Sequence, residues 1–248
     1  MTEAQHTEAY LWQHILDLCA TLRAHRVVDI GCGNGALCRE LAGRGYEVVG
    51  CEPSDDDLRF ARDGAPELVF HKLGVDDDPS AVGNESFDVA IATEVIEHLT
   101  RPRNLPNFAK QLLRSGGHLI ISTPYHGYLK NLVLAFTNKW DAHLNPFWDG
   151  GHIKFWSRKT ISRLLSENGF RVIRFIGAGR LPFVWKSMAS SVSLCIFLQT
   201  FRVRVHVAYG TFRFTRFSAH CVFSRHFRAP HKRRSLGQDS RQISHSSA

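Results

Sequence analysis

The chain has 248 residues, 44% of them hydrophobic and 22% charged, the profile of one globular α/β domain with chain to spare for its core. No apolar run reaches the ~18 uncharged residues of a membrane-spanning helix, and the polar start Met1-Thr2-Glu3-Ala4-Gln5-His6 does not read as a signal peptide. The net charge of +8 is unevenly placed: residues 199–248 hold ten Lys/Arg against one acid, Asp239, so the rest of the chain is close to neutral. Such a basic tail suits nucleic acid or acidic lipid, but a poorly ordered extension is the preferred expectation. Cys19, Cys32, Cys38, Cys51, Cys195 and Cys221 form no C-x-x-C pair, which predicts reduced thiols in a cytoplasmic protein.

From Glu8 to Leu22, Leu11, Ile15, Leu18 and Leu22 recur at helical spacing. Val27-Val28-Asp29-Ile30-Gly31-Cys32-Gly33-Asn34-Gly35 then runs from an apolar strand through an acid into three alternating glycines. Ala36 to Leu41 continues as helix, so the unit is strand, glycine loop, helix, the start of a nucleotide-binding α/β domain. The loop reads G-x-G-x-G, not the dinucleotide G-x-G-x-x-G, and it lacks the Lys-Ser/Thr of a triphosphate loop. Tyr46 to Cys51 is a second strand, closed by Glu52, about 20 residues past the glycines, where a carboxylate can accept both hydroxyls of a ribose.

Ser54 caps a helix that runs to Asp63-Gly64, and Leu68 to His71 is a short third strand. Phe87 to Thr93 is a buried strand, Leu105, Phe108 and Leu112 mark a helix stopping at Ser115-Gly116-Gly117, and His118 to Pro124 is a fifth strand. This alternation predicts an α/β fold of Rossmann-like, doubly wound type: a mostly parallel sheet with helices on both faces. Asp29, Glu52, Thr93 and Ser122 then fall at the carboxyl ends of strands, around one crevice. Between residues 125 and 151 the alternation breaks. Tyr125, His126, Tyr128, Trp140, His143, Phe147 and Trp148 suit a lid over a substrate, or a helical insert with its own aromatic core. Ser157 opens a helix with Ile161, Leu164 and Leu165, and Phe170 to Phe175 is a sixth strand. Past Trp185-Lys186 the pattern fades: Arg202 to Val207 alternates like a strand, and the chain from about Ala229 reads as disordered. One domain over 1–186 and a basic, irregular or disordered tail over 187–248 are expected.

A second constellation closes the fourth strand: Thr93-Glu94-Val95-Ile96-Glu97-His98-Leu99. On a helix, Glu94, Glu97 and His98 would share a face. Two carboxylates and an imidazole suit a divalent cation such as Mg²⁺ or Zn²⁺, and a cation beside a hydroxyl lowers its pKa. The plainer expectation is an acidic first helical turn, with His98 a general base or simply packed.

D-I-G-C-G-N-G followed by an acid at the next strand end resembles the class I S-adenosylmethionine-dependent methyltransferases. The resemblance implies that Asp29, Gly31, Cys32, Gly33 and Gly35 line the methionine and ribose side of S-adenosylmethionine, that Glu52 holds the ribose, and that Thr93 borders the cofactor. It also implies that an acid after the third strand takes the adenine amino group while its neighbour packs on the ring: Asp76 with Val75, with Asp77 in competition. The leading helix, through Tyr10, Trp12 or His14, would touch the cofactor or simply pack on the sheet. E-V-I-E-H resembles the ubiquinone-biosynthesis O-methyltransferases and the small-RNA 2′-O-methyltransferases, in which this triplet binds Mg²⁺ or a like metal, and a later histidine, here His152, joins it in the RNA enzymes. Tyr125 stands where the RNA enzymes carry Asn. The expectation is a methyltransferase acting on a small-molecule hydroxyl, phenol- or quinol-like, with Glu94, Glu97 and His98 catalytic. RNA 2′-O-methylation and a cofactor-binding pseudo-enzyme are the alternatives.

Overall fold

The computed structural model describes residues 4–84, 86–125, 128–143, 147, 151–178 and 220–226. The elements in chain order are α1 (Ala4–Thr21), β1 (Arg26–Ile30), α2 (Ala36–Gly43), β2 (Glu47–Cys51), α3 (Asp55–Gly64), β3 (Val69–His71) and β4 (Phe87–Thr93). They continue with α4 (Asn104–Leu112), β5 (Leu113–Ser122), α5 (Tyr128–Phe136), α6 (Trp140–His143), α7 (Arg158–Glu167), β6 (Arg171–Ala178) and β7 (His220–His226).

The strands form one sheet in the order β3-β2-β1-β4-β5-β7-β6. Pairing is parallel from β3 to β5, and β7 runs antiparallel to both β5 and β6. The order reverses between β1 and β4. Successive connections leave these two strands in opposite directions, so a crevice opens past their carboxyl ends. Register brings the predicted ends together: Asp29 pairs with Gly50 and Ile91, and Thr93 with Ser122.

Strand residues alternate between two apolar layers, as a pleated ribbon buried on both faces requires. Val28 and Ile30 of β1 join α4 and α7 through Leu105, Phe108, Leu112, Ile161 and Leu165. Val27 joins α1, α2 and α3 through Leu11, Ile15, Leu37, Leu41 and Leu58. Removing each of these large side chains from water contributes roughly 1.5–3 kcal/mol. Asp29 lies between Val28 and Ile30 and therefore faces the α1–α2 layer.

The structure corrects two boundaries of the sequence reading. The fourth helix stops at Leu112, and β5 begins at once at Leu113, because Phe87 and Leu113 already pair across the sheet. His220–His226, assigned to the tail by composition, forms β7 between β5 and β6. Its apolar residues, Cys221-Val222-Phe223, are consecutive and carry no period-two signal, and it is held through backbone pairing on both edges. Cys195, Arg202 to Val207 and the segment from Ala229 lie outside the described residues.

Candidate active site

The glycine loop closes β1. Gly31 and Cys32 both donate backbone N–H bonds to the Cys51 carbonyl, at 2.8 and 3.1 Å. Gly31, Gly33 and Gly35 all have positive φ, a region in which side-chain-bearing residues are strained. Their surroundings differ. A Cβ on Gly35 would lie 3.0 Å from Ala61 and Phe70, whereas one on Gly33 would meet nothing within 4 Å. The Gly33 face of the loop is open. Glu52 reaches that loop: its Oε2 accepts from Gly33 N–H at 2.9 Å and its Oε1 from Ser54 N–H at 2.9 Å. These bonds fix the carboxylate at the crevice floor while each oxygen keeps a lone pair for a further donor.

Asp29 is 2% exposed, and its Oδ1 has no hydrogen-bond partner. Its Oδ2 receives the Cys38 S–H at 3.5 Å. Burial pushes its carboxyl up to about 7; the Cys38 contact opposes that shift and the nearby Glu52 charge adds to it. Cys19, Cys32, Cys38 and Cys51 are free thiols. Trp12 is half-buried and packs on the α1–α2 layer, while the Tyr10 side chain lies outside what is described.

The acids after β3 are both engaged. Asp76 pairs with Arg101 at 2.8 Å and accepts from Asn104 at 2.5 Å, which holds its carboxyl below the ordinary carboxylate range. Asp77 accepts the Gly74 N–H at 2.7 Å. A Cβ on Gly74 would lie 3.4 Å from Pro53, so this loop runs beside the chain that follows Glu52. Val75 packs against the apolar core beneath it.

Glu94, Glu97 and His98 are not on a helix, contrary to the expectation from their spacing. Glu94 adopts φ 55°, in the left-handed region, which ends β4 in a turn and delays the next helix to Asn104. Ser122 holds it there. The Ser122 hydroxyl donates to Glu94 Oε1 at 2.6 Å, and the Glu94 N–H reaches the Ser122 Oγ and carbonyl at 3.1 and 3.2 Å. The turn continues with the His98 N–H bonded to the Val95 carbonyl. Val95 projects onto the glycine loop, where a Cβ on Gly31 would lie 2.6 Å from Val95 Cγ2. The two constellations therefore touch.

His152 comes to the same place. The Glu97 carbonyl accepts N–H bonds from Ile153 at 3.0 Å and Lys154 at 2.9 Å, drawing the segment after residue 150 across the turn. Tyr125 and Trp156 bridge the same segment to the end of β5. Donor atoms of Glu97, His98 and His152 lie within 4.8 Å of one another, and the two imidazoles stand edge to face at 5.0 Å. Glu94 is not in that group, because its carboxylate is turned to Ser122. Glu97 is buried beside Glu94 and Thr123, with neither carboxylate oxygen in a well-formed hydrogen bond. Burial and then the charge of Glu94 hold its carboxyl well above the ordinary range. Thr93 and Thr123 also carry buried hydroxyls without partners. Thr123 and Val95 escaped the sequence reading, since neither residue type signals chemistry.

Beyond β5, Tyr128, Leu132 and Phe136 follow one face of α5 and are exposed, as is Phe147. Among the described side chains of α5, only Leu134 is buried. His126 and Trp148 lie outside the described residues, as does the His143 side chain.

Residues 4–174 match the family model of the methyltransferase domain. The chain belongs to this methyltransferase family. The resemblance to class I S-adenosylmethionine-dependent methyltransferases carried by the glycine loop and Glu52 is thus one of kinship. Similar relatives include the ubiquinone biosynthesis O-methyltransferase of Ruegeria sp., 29% identical over 177 residues, covering 69% of this chain and 70% of that protein. The enzyme of the same name from Aromatoleum aromaticum is 26% identical over 171 residues, covering 67% and 73%. The magnesium protoporphyrin IX methyltransferase of Synechocystis PCC 6803, solved with bound S-adenosylhomocysteine, shares the fold at a TM-score of 0.59. It is 16% identical and covers 92% of this methyltransferase and 88% of its own chain.

Proposed function

We propose that the protein transfers a methyl group from S-adenosylmethionine to a hydroxyl oxygen of a small molecule, phenol- or quinol-like. The observation that carries the reading is the contact of Val95 with Gly31, which sets an open glycine loop against a cluster of acid and imidazole side chains. Donor and acceptor sites must adjoin for a direct transfer, and proximity of this kind is a large part of what such an enzyme supplies. The open face of Gly33, the fixed Glu52 carboxylate and the unpartnered polar atoms of Asp29 and Thr93 suit a polar, cationic, ribose-bearing ligand. The names of the relatives support an O-methyl acceptor.

His98 is the proposed general base, aided by Glu97 and with Glu94 braced by Ser122. The acceptor hydroxyl loses its proton to the imidazole as its oxygen takes the methyl group. Glu97, His98 and His152 also fit a divalent cation. Their donor atoms converge, and both Glu97 oxygens lack partners, as a ligand set kept for a cation would. Such a cation would acidify a hydroxyl bound beside it. The exposed aromatic face after β5 is the proposed lid, residues 1–186 with β7 form the catalytic unit, and a cytoplasmic setting accords with the free thiols. No helix among the described residues is long and apolar enough to cross a membrane.

The test is methyl transfer from labelled S-adenosylmethionine to a panel of catechols and quinols, with an RNA duplex alongside, before and after chelation. Transfer to a ring hydroxyl that falls at least 100-fold in His98→Ala is expected, since general-base contributions run to about 10²–10⁴. Transfer to RNA alone, with a steep salt dependence, would overturn the small-molecule reading. Full activity after chelation would remove the cation.

A further inference from the structure

Among the carboxylates on or beside the central strands, Asp88, Glu52 and Asp29 differ, and the first two are satisfied. Asp88 receives the backbone N–H groups of His25 and Arg26, at 2.7 and 2.8 Å, and pairs with Arg114 at 2.5 Å. Glu52 receives two backbone N–H groups. Asp29 is more deeply buried than either, yet it has one thiol contact, a free Oδ1 and no cationic side chain bonded to it among the described residues. Its neighbours are protonated thiols or further negative charge: Cys19 from α1, Cys38 from α2, and Cys51 with Glu52 from β2. From β4 it faces Ile91 across the register, which is apolar. A buried acid in such company holds its proton to a higher pH than usual, and positive charge arriving nearby draws that proton off. The open glycine loop that begins two residues later is where it can arrive.

We infer that Asp29 is a charge-selecting residue of the cofactor site: it gives up its proton when the methyl donor binds, and gives it up less readily for the demethylated product. This rests on the donor being S-adenosylmethionine. The donor carries a sulfonium, an ammonium and a carboxylate, for a net charge of +1. Transfer turns the sulfonium into a neutral thioether and leaves a net charge of zero. The ammonium is common to both ligands, so the sulfonium alone distinguishes them electrostatically. An acid that ionises on binding favours donor over product, and the preference grows as the pH rises through its titration.

The experiment is calorimetric titration of the full chain with S-adenosylmethionine and with S-adenosylhomocysteine. It is run between pH 6 and 7.5 in two buffers of different ionisation enthalpy, so that protons released are counted directly. Below pH 7.5 the ligand ammonium stays largely protonated. If only the ionised form binds the donor well, affinity should fall roughly tenfold from pH 7.5 to 6, with most of one proton released at pH 6. S-adenosylhomocysteine should show a smaller change on both measures. In Asp29→Asn the proton count should drop to near zero, and the donor-to-product ratio should lose its pH dependence. Equal proton release by both ligands, or release unchanged in Asp29→Asn, would overturn the inference. Binding of neither ligand to folded protein at any pH would instead overturn the cofactor assignment.

Discussion

Gly31→Ala tests whether the glycine loop and the Glu94–His98 turn are one mechanical unit. Two costs add in this variant. The residue keeps φ 76°, which a side-chain-bearing residue tolerates at roughly 1–2 kcal/mol. The new methyl would also lie 2.6 Å from Val95 Cγ2, well inside contact distance, and overpacking of this kind costs about 1–3 kcal/mol. A total loss of about 2–5 kcal/mol in urea unfolding is expected. Val95→Ala should restore the contact part alone, so the double-mutant cycle should show a coupling of about 1–3 kcal/mol. The strain part should persist in the double variant. Methyl transfer by Gly31→Ala should fall further than its stability implies, because Val95 can only yield by moving the turn that carries Glu97 and His98. Additive single and double variants, with no coupling, would refute the contact as the link between the two sites.

Ser122→Ala removes the donor to Glu94 Oε1 and one acceptor for the Glu94 N–H, and should cost about 1–3 kcal/mol with a lower kcat; unchanged unfolding and turnover would show that Glu94 holds its left-handed turn unaided. The pH dependence of stability should bear the mark of Asp29, whose folded-state value of about 7 lies above its ordinary 3.8. Its protonated form is favoured by folding, so its contribution is complete below about pH 4, declines by about 1.4 kcal/mol per pH unit, and is gone above about pH 7, roughly 4 kcal/mol in all. Asp29→Asn should remove that slope from urea unfolding measured between pH 4.5 and 7, and an unaltered slope would place the titration elsewhere. S-adenosylhomocysteine at 100 times its Kd should add about 2.7 kcal/mol of stability and raise Tm by roughly 5–10 °C, and no shift at saturation would argue against a cofactor site.

What could be read from the sequence was what short stretches of chain determine. The Ser54 and Ser157 caps depend on neighbours within a few residues and form where the spacing put them; Glu52 is legible from its place at a strand end, although its bond reaches Gly33, nineteen residues back. Glu94 is not so legible. Its spacing to Glu97 and His98 is helical, but its backbone is set by Ser122, twenty-eight positions away, and no local pattern announces that bond. Asp76, expected at the adenine amino group, is bonded by Arg101 and Asn104 from 25 and 28 residues on, and no local pattern announces those partners either. β7 was missed for a related reason. A strand held on both edges by backbone bonds need not display an alternating apolar face, and His220–His226, with its three apolar residues in a row, displays none.

The polar atoms left without partners show where the fold gives up stability. Five of the seven such atoms among the described residues, Asp29 Oδ1, Thr93 Oγ1, both Glu97 oxygens and Thr123 Oγ1, lie at the carboxyl ends of β1, β4 and β5 or in the turn just beyond; the other two are Asn131 Oδ1 of α5 and Trp156 Nε1. Each unsatisfied buried group costs about 1–3 kcal/mol. At the opposite end of the same sheet, Asp88 has every bond it needs. The contrast cannot come from poor packing, since the same core cluster holds Val28 of β1, Ala90 of β4 and Ile121 of β5, each with no exposed surface. It accords instead with the proposed cofactor and acceptor site at this end of the sheet. A ligand offering donors to Asp29 and Thr93, and a proton or cation to Glu97, would recover that stability on binding. On the proposed reading, affinity and the stability given up at this end of the sheet draw on the same set of atoms.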